Sequence, residues 1–526
     1  MAFPSFPGTG GLPPATGEEG FFAGTRPRSL GLPIRPAMTY AMAMADDHSS
    51  HHSSDETCNG AEPASPGQVL RELWLGAGGE SAALANVALD GADPALPSSF
   101  RVGTAAQATI AAAGLAAAEV RRQRTGRAQG VSVDMRQAAI EFRSERYMRL
   151  DGKPPGPAWD RIAGVYRTGD DRRVRLHTNF PHHRDGMLKL LGCACEREAV
   201  QVALLRWQAE PFEAAAAEAG LVATMLRSPA EWAAHAQGRA VAALPLIEIE
   251  KIGEAPVGRL PRNPERPLSG VRVLDLTRVI AGPVCGRTLA AHGADVMRIT
   301  APHLPGLPNL DIDMGRGKLS AHLDLRSFEE HERLAALLRE SHIFVQGYRP
   351  GALAEHGFSP EACADLRPGI IAVTLSAYGH EGPWAGRRGF DSLVQNACGT
   401  NWAEAEALGV PPPKELPAQA LDHATGFLMA FGAMVALARK MREGGSWLVR
   451  VSLAQTAHWL WHLGRLQNGF DCPEPSAAEI KSMLDAMDTP FGRLTFIRHA
   501  AQLSETPARW SRPPVQLGTH APVWPV

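Results

Sequence analysis

"VRVLDLTRVIAGPVCGRTLAAHGADVMRIT", residues 271–300, decides the fold. Its first six residues form an apolar run of strand length. A Gly-Pro turn at Gly282 and Pro283 follows, then a helical pattern, then a second strand over Asp295–Thr300. Downstream, "HIFVQGYRPG" (342–351) and "GIIAVTLSAYG" (369–379) are further strand-length apolar runs that end in glycine. Strands alternating with helices predict an α/β fold, a Rossmann-like doubly wound parallel sheet, whose ligands lie beyond the C-terminal ends of the strands. The Gly and Arg residues at those ends are therefore binding candidates.

Upstream the pattern is different. Residues 66–255 are Ala-rich and mostly helical, with "TAAQATIAAAGLAAAEVRRQR" (104–124) the strongest helix and "VYRTGDDRRVRLHTN" (165–179) a hairpin turning at Gly169, Asp170 and Asp171. They predict a smaller α+β domain. Residues 256–270, with "GRLPRNPERPLSG", read as a Pro-rich linker to the second half, 271–475, and residues 476–526 close the chain. Residues 1–65 are rich in Pro, Gly, Ser and His and lack apolar periodicity, so a disordered tail is expected there. A solvated tail is also the expected reading of the cluster His48, His51 and His52, and no metal site is expected.

The chain of 526 residues is 44% hydrophobic, enough for two or three globular units. Its 53 basic and 55 acidic residues leave a formal charge of −2, with no net field to gather nucleic acid or an anionic membrane. A small-molecule partner is the expectation. Seven cysteines, odd in number and without a CxxC pair, exclude a disulfide framework or structural zinc site and fit a cytoplasmic location. The opening "MAFPSFPGTGG" lacks the basic-then-apolar order of a signal peptide, and no uninterrupted apolar run reaches membrane-span length.

The two halves echo each other. At a constant offset of 318 (432 − 114), Gly114 matches Gly432, Arg121 matches Arg439, Arg124 matches Arg442, Gly126 matches Gly444, Val131 matches Val449, Val133 matches Val451 and Gln137 matches Gln455. Chance similarity of Ala-rich helices would not continue past the helix into "GVSV" and "LVRV", so one helix, turn and strand is used twice. At this offset Asp422, in "ALDHATG" (420–426), falls opposite Thr104. Either residue could cap a helix, but capping does not explain why only one copy carries an acid.

The segments 271–300, "VQGYRPGALAEHGF", "LRPGIIAVTLSAYGHEGPWAGRRGFDSLVQNACG" and "ALDHATGFLMAFGAMVALARKMREGG" resemble, in order, the family III CoA-transferases (CaiB/BaiF family). Residues from 102 onward resemble the part of that family after its catalytic aspartate, and "VYRTGDDRRVRLHTN" resembles its smaller domain. The halves stand in unusual order, as in a tandem fusion whose copies each lost a different part. Family members form interlocked dimers, so the resemblance implies a fused chain that rebuilds one composite unit or itself forms a homodimer.

The resemblance further implies that Asp422 is the nucleophile of a transfer of CoA between an acyl-CoA and a carboxylic acid, with CoA as substrate and no permanently bound cofactor. Val279 and Ile280 stand where the family contacts its ligand, and Gly426 lets backbone approach closely. Arg349, Arg388, Lys318 and Arg124 are the candidate cations for CoA phosphates. Phe390 in "GFD" occupies the place of a histidine in the family's racemases, which weakens the rival reading of an acyl-CoA racemase. Departures include "RIT" (298–300) where "KVE" is usual, Ile280 in place of Gln, and no counterpart of a glycine-rich covering loop. Those departures keep a non-catalytic CoA-binding protein as a second rival. A nicotinamide-dependent enzyme is disfavoured, because "TRVIAGPVCG" lacks GxGxxG.

Overall fold

β1 (Val87–Asp90) and β2 (Val131–Asp134) run parallel, Val87 opposite Val131, and are joined through α1 (Val102–Thr125). The computed structural model describes residues 64–258 and 260–525. The tail expected over residues 1–65, with its histidines, lies almost wholly outside them. α1 is buried along nearly its whole length, which its many alanines permit by letting neighbouring elements approach closely. It ends at Gly126, whose φ of 74° is a left-handed position that favours glycine.

Next come β3 (Arg149–Leu150) and an antiparallel sheet of β4 (Gly164–Arg167), β5 (Arg173–Leu176) and β6 (Ala223–Met225). The expected hairpin turn closes with the Thr168 amide donating to the Arg172 carbonyl, 3.0 Å. With α2 (Pro181–Leu191) and the helices after it, this sheet encloses a small core of its own, including Val174, Leu176, Met187 and Phe212.

The second half builds one seven-stranded sheet from β7 (Glu248–Gly253), β8 (Arg272–Leu276), β9 (Asp295–Thr300), β10 (Lys318–His322), β11 (Ile343–Gln346), β12 (Ile371–Ser376) and β13 (Ser446–Ser452). The order is β10-β9-β8-β11-β12-β13-β7. All neighbours are parallel except β7, which runs antiparallel to β13. The central strands are buried on both faces, as covering helices require. β7 corrects the boundary expected at 255: a strand read with the first half closes the edge of the second half's sheet, and Arg450 of β13 bonds both Glu248 and Glu250. α3 (Ala281–Ala291) follows β8, and α4 (Ala420–Glu443) crosses from β12 to β13. α4 is long and apolar enough to cross a membrane, but 94% of its most apolar window is buried within the protein, so its composition is that of a core helix.

The internal echo is exact in the backbone. α1 and α4 begin and end at the same offset of 318 (420 − 102 and 443 − 125), and each joins two parallel neighbouring strands. A Cβ on Gly114 would stand 3.0 Å from Cγ1 of Val131, and one on Gly432 would stand 2.6 Å from Cγ1 of Val449, so the paired glycines admit paired valines. Asp134 and Ser452 then cap the next helix alike, accepting from the amides of Gln137 and Gln455. The sibling helices pack in one shared core. The chain ends by returning to its first half: β14 (Leu484–Thr489) and β15 (Gly492–Ile497) take β3 as a third strand, and β16 (Gln502–Leu503) adds to β2.

Two cations expected to meet a ligand are instead structural. Arg124, at the end of α1, is buried and donates Nη1 to the Pro267 carbonyl (2.9 Å) and Nη2 to the Pro261 carbonyl (2.7 Å), which pins the linker. Lys318 lies beneath α3, where Nζ donates to Asp275 Oδ2 and to the Pro283 carbonyl, each at 2.8 Å. Both charges of the Lys318–Asp275 pair are buried. Removing the cation alone strands a buried carboxylate, so Lys318→Met should destabilise the protein by about 3–5 kcal/mol in urea unfolding. A change of less than 1 kcal/mol would return Lys318 to the list of ligand-binding candidates.

Candidate functional site

Asp422 is the third residue of α4, in the turn where backbone amides lack partners within the helix. Gln419, at the N-cap, makes no side-chain bond to that turn. The acceptor comes from outside, because the Asp422 amide donates to Asp391 Oδ2 at 2.9 Å. Asp391 opens the helix Asp391–Ala397 and is itself held by the Gln395 side-chain amide. Capping is therefore done by Asp391. Among the described residues no hydrogen bond reaches the Asp422 carboxylate, which is 7% exposed and faces a cavity of about 300 Å³.

Three effects raise the Asp422 pKa well above the ordinary carboxylate range: burial first, then the charges of Asp391 and Glu145. Burial likewise raises Asp391 to about 6, against the pull of the Asp422 amide and Gln395. His423, next in sequence, is fully buried, stacks on Phe142 and bonds Glu145 through Nε2 at 3.1 Å. Glu145 belongs to the first half. The acid thus lies among groups drawn from both halves.

The sibling turn has the same frame but is spent on its own bonds, with Thr104 buried. The Thr104 amide donates to Asp93 Oδ2 at 3.0 Å, as Asp422's does to Asp391, but the Thr104 hydroxyl donates to that same oxygen at 2.6 Å. A Cβ on Gly103 would stand 2.3 Å from the other Asp93 oxygen, so the space is filled.

Of the residues expected at the site, Val279, Ile280, Arg349, Arg388 and Phe390 line the cavity with Asp422. Val279 has a φ of 72°, a left-handed conformation that costs a β-branched residue ~1–3 kcal/mol and is found mostly at functional sites. Ile280 is the N-cap of α3. Arg349 is paired with Glu355 at 2.8 Å, and Arg388 donates Nη1 to the Gly220 carbonyl at 2.9 Å. Phe390 stacks on His177, ring centres 4.0 Å apart. Gly426 does not reach the cavity. The close approach it permits is that of α3, since a Cβ there would stand 2.4 Å from the Ala281 carbonyl oxygen.

Several lining residues were not anticipated: Arg278, Tyr348 and, from the first half, Phe180, His182 and His183. Arg278 stands just past the C-terminal end of β8, where the fold rule directs attention. The "NFPHHRD" run, with proline at the first position of a helix, signals a helix start but nothing about what that start faces. His183 is held neutral, its pKa pushed down to about 3 by burial and then by His182, Arg388 and Arg278. Among the described residues no three His, Cys, Asp or Glu are arranged to hold a metal ion.

A carboxylate without partners, raised in basicity beside a cavity with a cationic mouth, suits a covalent relay for an activated acyl group. Known proteins share parts of this chain. An acetyl-coenzyme A transferase of Hypoxylon pulicicidum is 30% identical over 322 residues, 57% of this chain and 54% of that protein. A probable fatty acyl-CoA transferase of Mycobacterium tuberculosis is 30% identical over 233 residues, 41% of this chain and 59% of that protein. Among solved structures, a CaiB/BaiF family protein from Brucella suis is 25% identical over 36% of this chain and 54% of its own, with a TM-score of 0.32. The chain spans about half the length of the curated relatives it matches. The model of CoA-transferase family III matches residues 81–262 and 268–480, on both sides of the linker, and the chain belongs to that family.

Proposed function

We propose that the protein moves CoA between an acyl-CoA and a carboxylic acid, with Asp422 as the covalent relay. The observation that carries this reading is the Asp422 carboxylate itself, relieved of capping by Asp391 and open to the cavity. An oxygen of the ionised carboxylate attacks the thioester carbonyl, the C–S bond breaks, and a mixed anhydride and CoA thiolate result. The thiolate attacks the aspartyl carbonyl and expels the donor acid, which leaves an aspartyl-CoA thioester. The acceptor carboxylate attacks that thioester and releases the thiolate, which then attacks the acceptor's carbonyl and frees Asp422.

Burial and neighbouring acids make the ionised Asp422 a stronger base than an ordinary carboxylate, and hence a better nucleophile once deprotonated. Its place in the first turn of α4 adds the positive end of the helix dipole, which favours the oxyanion formed at each attack. A cavity of about 300 Å³ is at the small end of ligand sites, which run from about 300 to 1,000 Å³, so it suits the thioester end of CoA. The nucleotide end then lies along the mouth, where Arg349 and Arg388 are exposed to meet phosphates. Both halves of the fused chain contribute to this one site.

Incubation with a panel of acyl-CoAs followed by hydroxylamine trapping and mass spectrometry should map an adduct to Asp422. Asp422→Ala should abolish transfer and adduct without unfolding the protein, whereas Thr104→Ala should keep both. Equal loss in the two variants would sink the assignment to one copy.

Rate should rise with pH along a limb set by ionisation of Asp422, well above the ordinary carboxylate range. Asp391→Asn keeps an acceptor for the Asp422 amide but removes a like charge, so that limb should move to lower pH. Stability runs the other way. The folded-state pKa of Asp391, about 6, exceeds an unfolded value near 3.9, so its contribution is fully present below about pH 4 and is lost as pH rises through 6. Urea unfolding between pH 4 and 7 should show this decline, and Asp391→Asn should reduce it, leaving the part that comes from the raised pKa of Asp422.

A further inference from the structure

We propose that Cys193 and Cys195 form a peroxide-reactive dithiol, in which the Cys195 sulfur is oxidised first and Cys193 resolves it into a reversible disulfide. The pair stands apart from acyl transfer, since neither cysteine lines the Asp422 cavity. It directly follows α2. Gly192, with a φ of 62°, turns the chain out of that helix, and the amides of Gly192 and Cys193 both donate to the Leu188 carbonyl, at 2.9 and 3.3 Å. The Glu196 amide then donates to the Ala194 carbonyl at 2.9 Å, which closes a tight bend centred on Cys195. Both thiols are free and half-buried, in a turn whose other residues, Gly192, Ala194 and Glu196, are exposed, so a small oxidant can reach them.

Partners separate this pair from the other thiols among the described residues. Cys285, Cys363 and Cys398 are buried, and burial raises each thiol above the ordinary range, so they stay protonated and closed to solvent. Cys472 is half-buried, but its thiol donates to the Pro94 carbonyl at 3.3 Å. Arg136, which approaches that sulfur at 3.6 Å, is paired with Glu479 at 3.1 Å. Cys195 is an acceptor instead. The Arg161 Nε–H donates to its sulfur at 3.2 Å, and among the described residues no carboxylate pairs with Arg161. A sulfur that accepts from a cation keeps its own proton out of that bond, and reactive cysteines occupy such electropositive, part-exposed surroundings. Cys193 differs: burial, then its neighbour Cys195, raises its thiol above the ordinary range, which suits the second, resolving role. With one residue between them their Cα atoms stand at most about 7 Å apart, the bend shortens that distance, and a disulfide spans about 4.4–6.8 Å.

The Cys195 sulfur attacks one oxygen of hydrogen peroxide and the O–O bond breaks. The departing hydroxide takes the Cys195 proton as water, and the sulfur, oxidised by two electrons, becomes a sulfenic acid. The Cys193 sulfur then attacks that sulfur, the S–O bond breaks, and the second hydroxide leaves with the Cys193 proton as water. An external dithiol reduces the resulting disulfide.

Peroxide treatment of the full chain, followed by tryptic digestion and mass spectrometry, tests this. The peptide Leu190–Arg197 carries both cysteines; it should lose two hydrogens on oxidation and regain them with dithiothreitol. In Cys193→Ser, dimedone should trap a sulfenic acid on Cys195 at least about tenfold faster than on Cys472, and at least about tenfold faster than on Cys193 in Cys195→Ser. Adding Arg161→Met to Cys193→Ser should slow trapping of Cys195 severalfold, whereas Arg161→Lys should keep part of the rate. Equal trapping of Cys193 and Cys195 in the two serine variants would overturn the assignment. So would trapping no faster than at Cys472, a rate indifferent to Arg161→Met, or a bridge that joins either cysteine to Cys58 or to a second chain in place of its neighbour.

Discussion

The site depends on where one backbone amide finds its acceptor. A helix start must satisfy its first-turn amides, and an aspartate three residues in is commonly spent on them. Here Asp391 reaches across from another helix to take the Asp422 amide, the bond that the N-cap Gln419 does not make, and the Asp422 carboxylate has no hydrogen-bond partner among the described residues. The arrangement has an electrostatic cost: burial raises both pKa values, and the charge of Asp391 raises that of Asp422 further. That cost raises the basicity of the Asp422 carboxylate, on which the proposed relay rests. One hydrogen bond thus links the backbone requirement of a helix end to the basicity of the Asp422 carboxylate.

The frame that holds this arrangement is assembled from both copies of a duplicated unit. α1 and α4 can lie together in one core because each is lined by small residues, and because Gly114 and Gly432 let a valine of the following strand approach. Polar contacts tie the copies further. Asp313, fully buried, accepts from Arg287 of α3 at 2.6 Å, from Arg316 at 2.7 Å and from Ser144 of the first half at 2.7 Å. Close by, Glu141 of the first half bonds His499 of the returning C-terminal segment at 3.1 Å, both buried. Such pairs are weak sources of net stability, but breaking one leaves an unpaired buried charge. They join the first half to α3 and to the returning C-terminal segment.

The sheet was legible because apolar runs of strand length alternated with helical patterns, two of the runs ending in glycine, and the duplication because an offset of 318 held across the helix and the strand after it. The ends of the first half were less legible. β7 is a polar edge strand, "EIEKIG", and edge strands lack the apolar pattern that marks buried ones. Asp422 stood out through its family-like surroundings and its mismatch with Thr104, but its freedom from capping did not, because the acceptor is 31 residues away. Lys318 and Arg124 were placed with the ligand for a related reason. A cation beside glycines reads the same whether it faces a phosphate, a carboxylate 43 residues upstream or a carbonyl of the linker. His183 and Phe180 lacked any local mark, since only tertiary packing brings α2 to the ends of β8 and β11.

The filled sibling site explains what the first copy now does. Thr104 gives both its amide and its hydroxyl to Asp93, and Gly103 leaves no room beside that acid, so the turn is consumed by its own internal bonds. A carboxylate at that position would face Asp93 among buried groups. The first copy therefore contributes in other ways. It lends Glu145 to the electrostatics of Asp422 and Phe180, His182 and His183 to the cavity wall. In a dimer of separate chains such contributions could be reciprocal, each copy completing the other. Fusion removes the need for reciprocity: once both copies are held at fixed proportion, one can carry Thr104 where the other carries Asp422 and still be required, because the cavity is built partly from it.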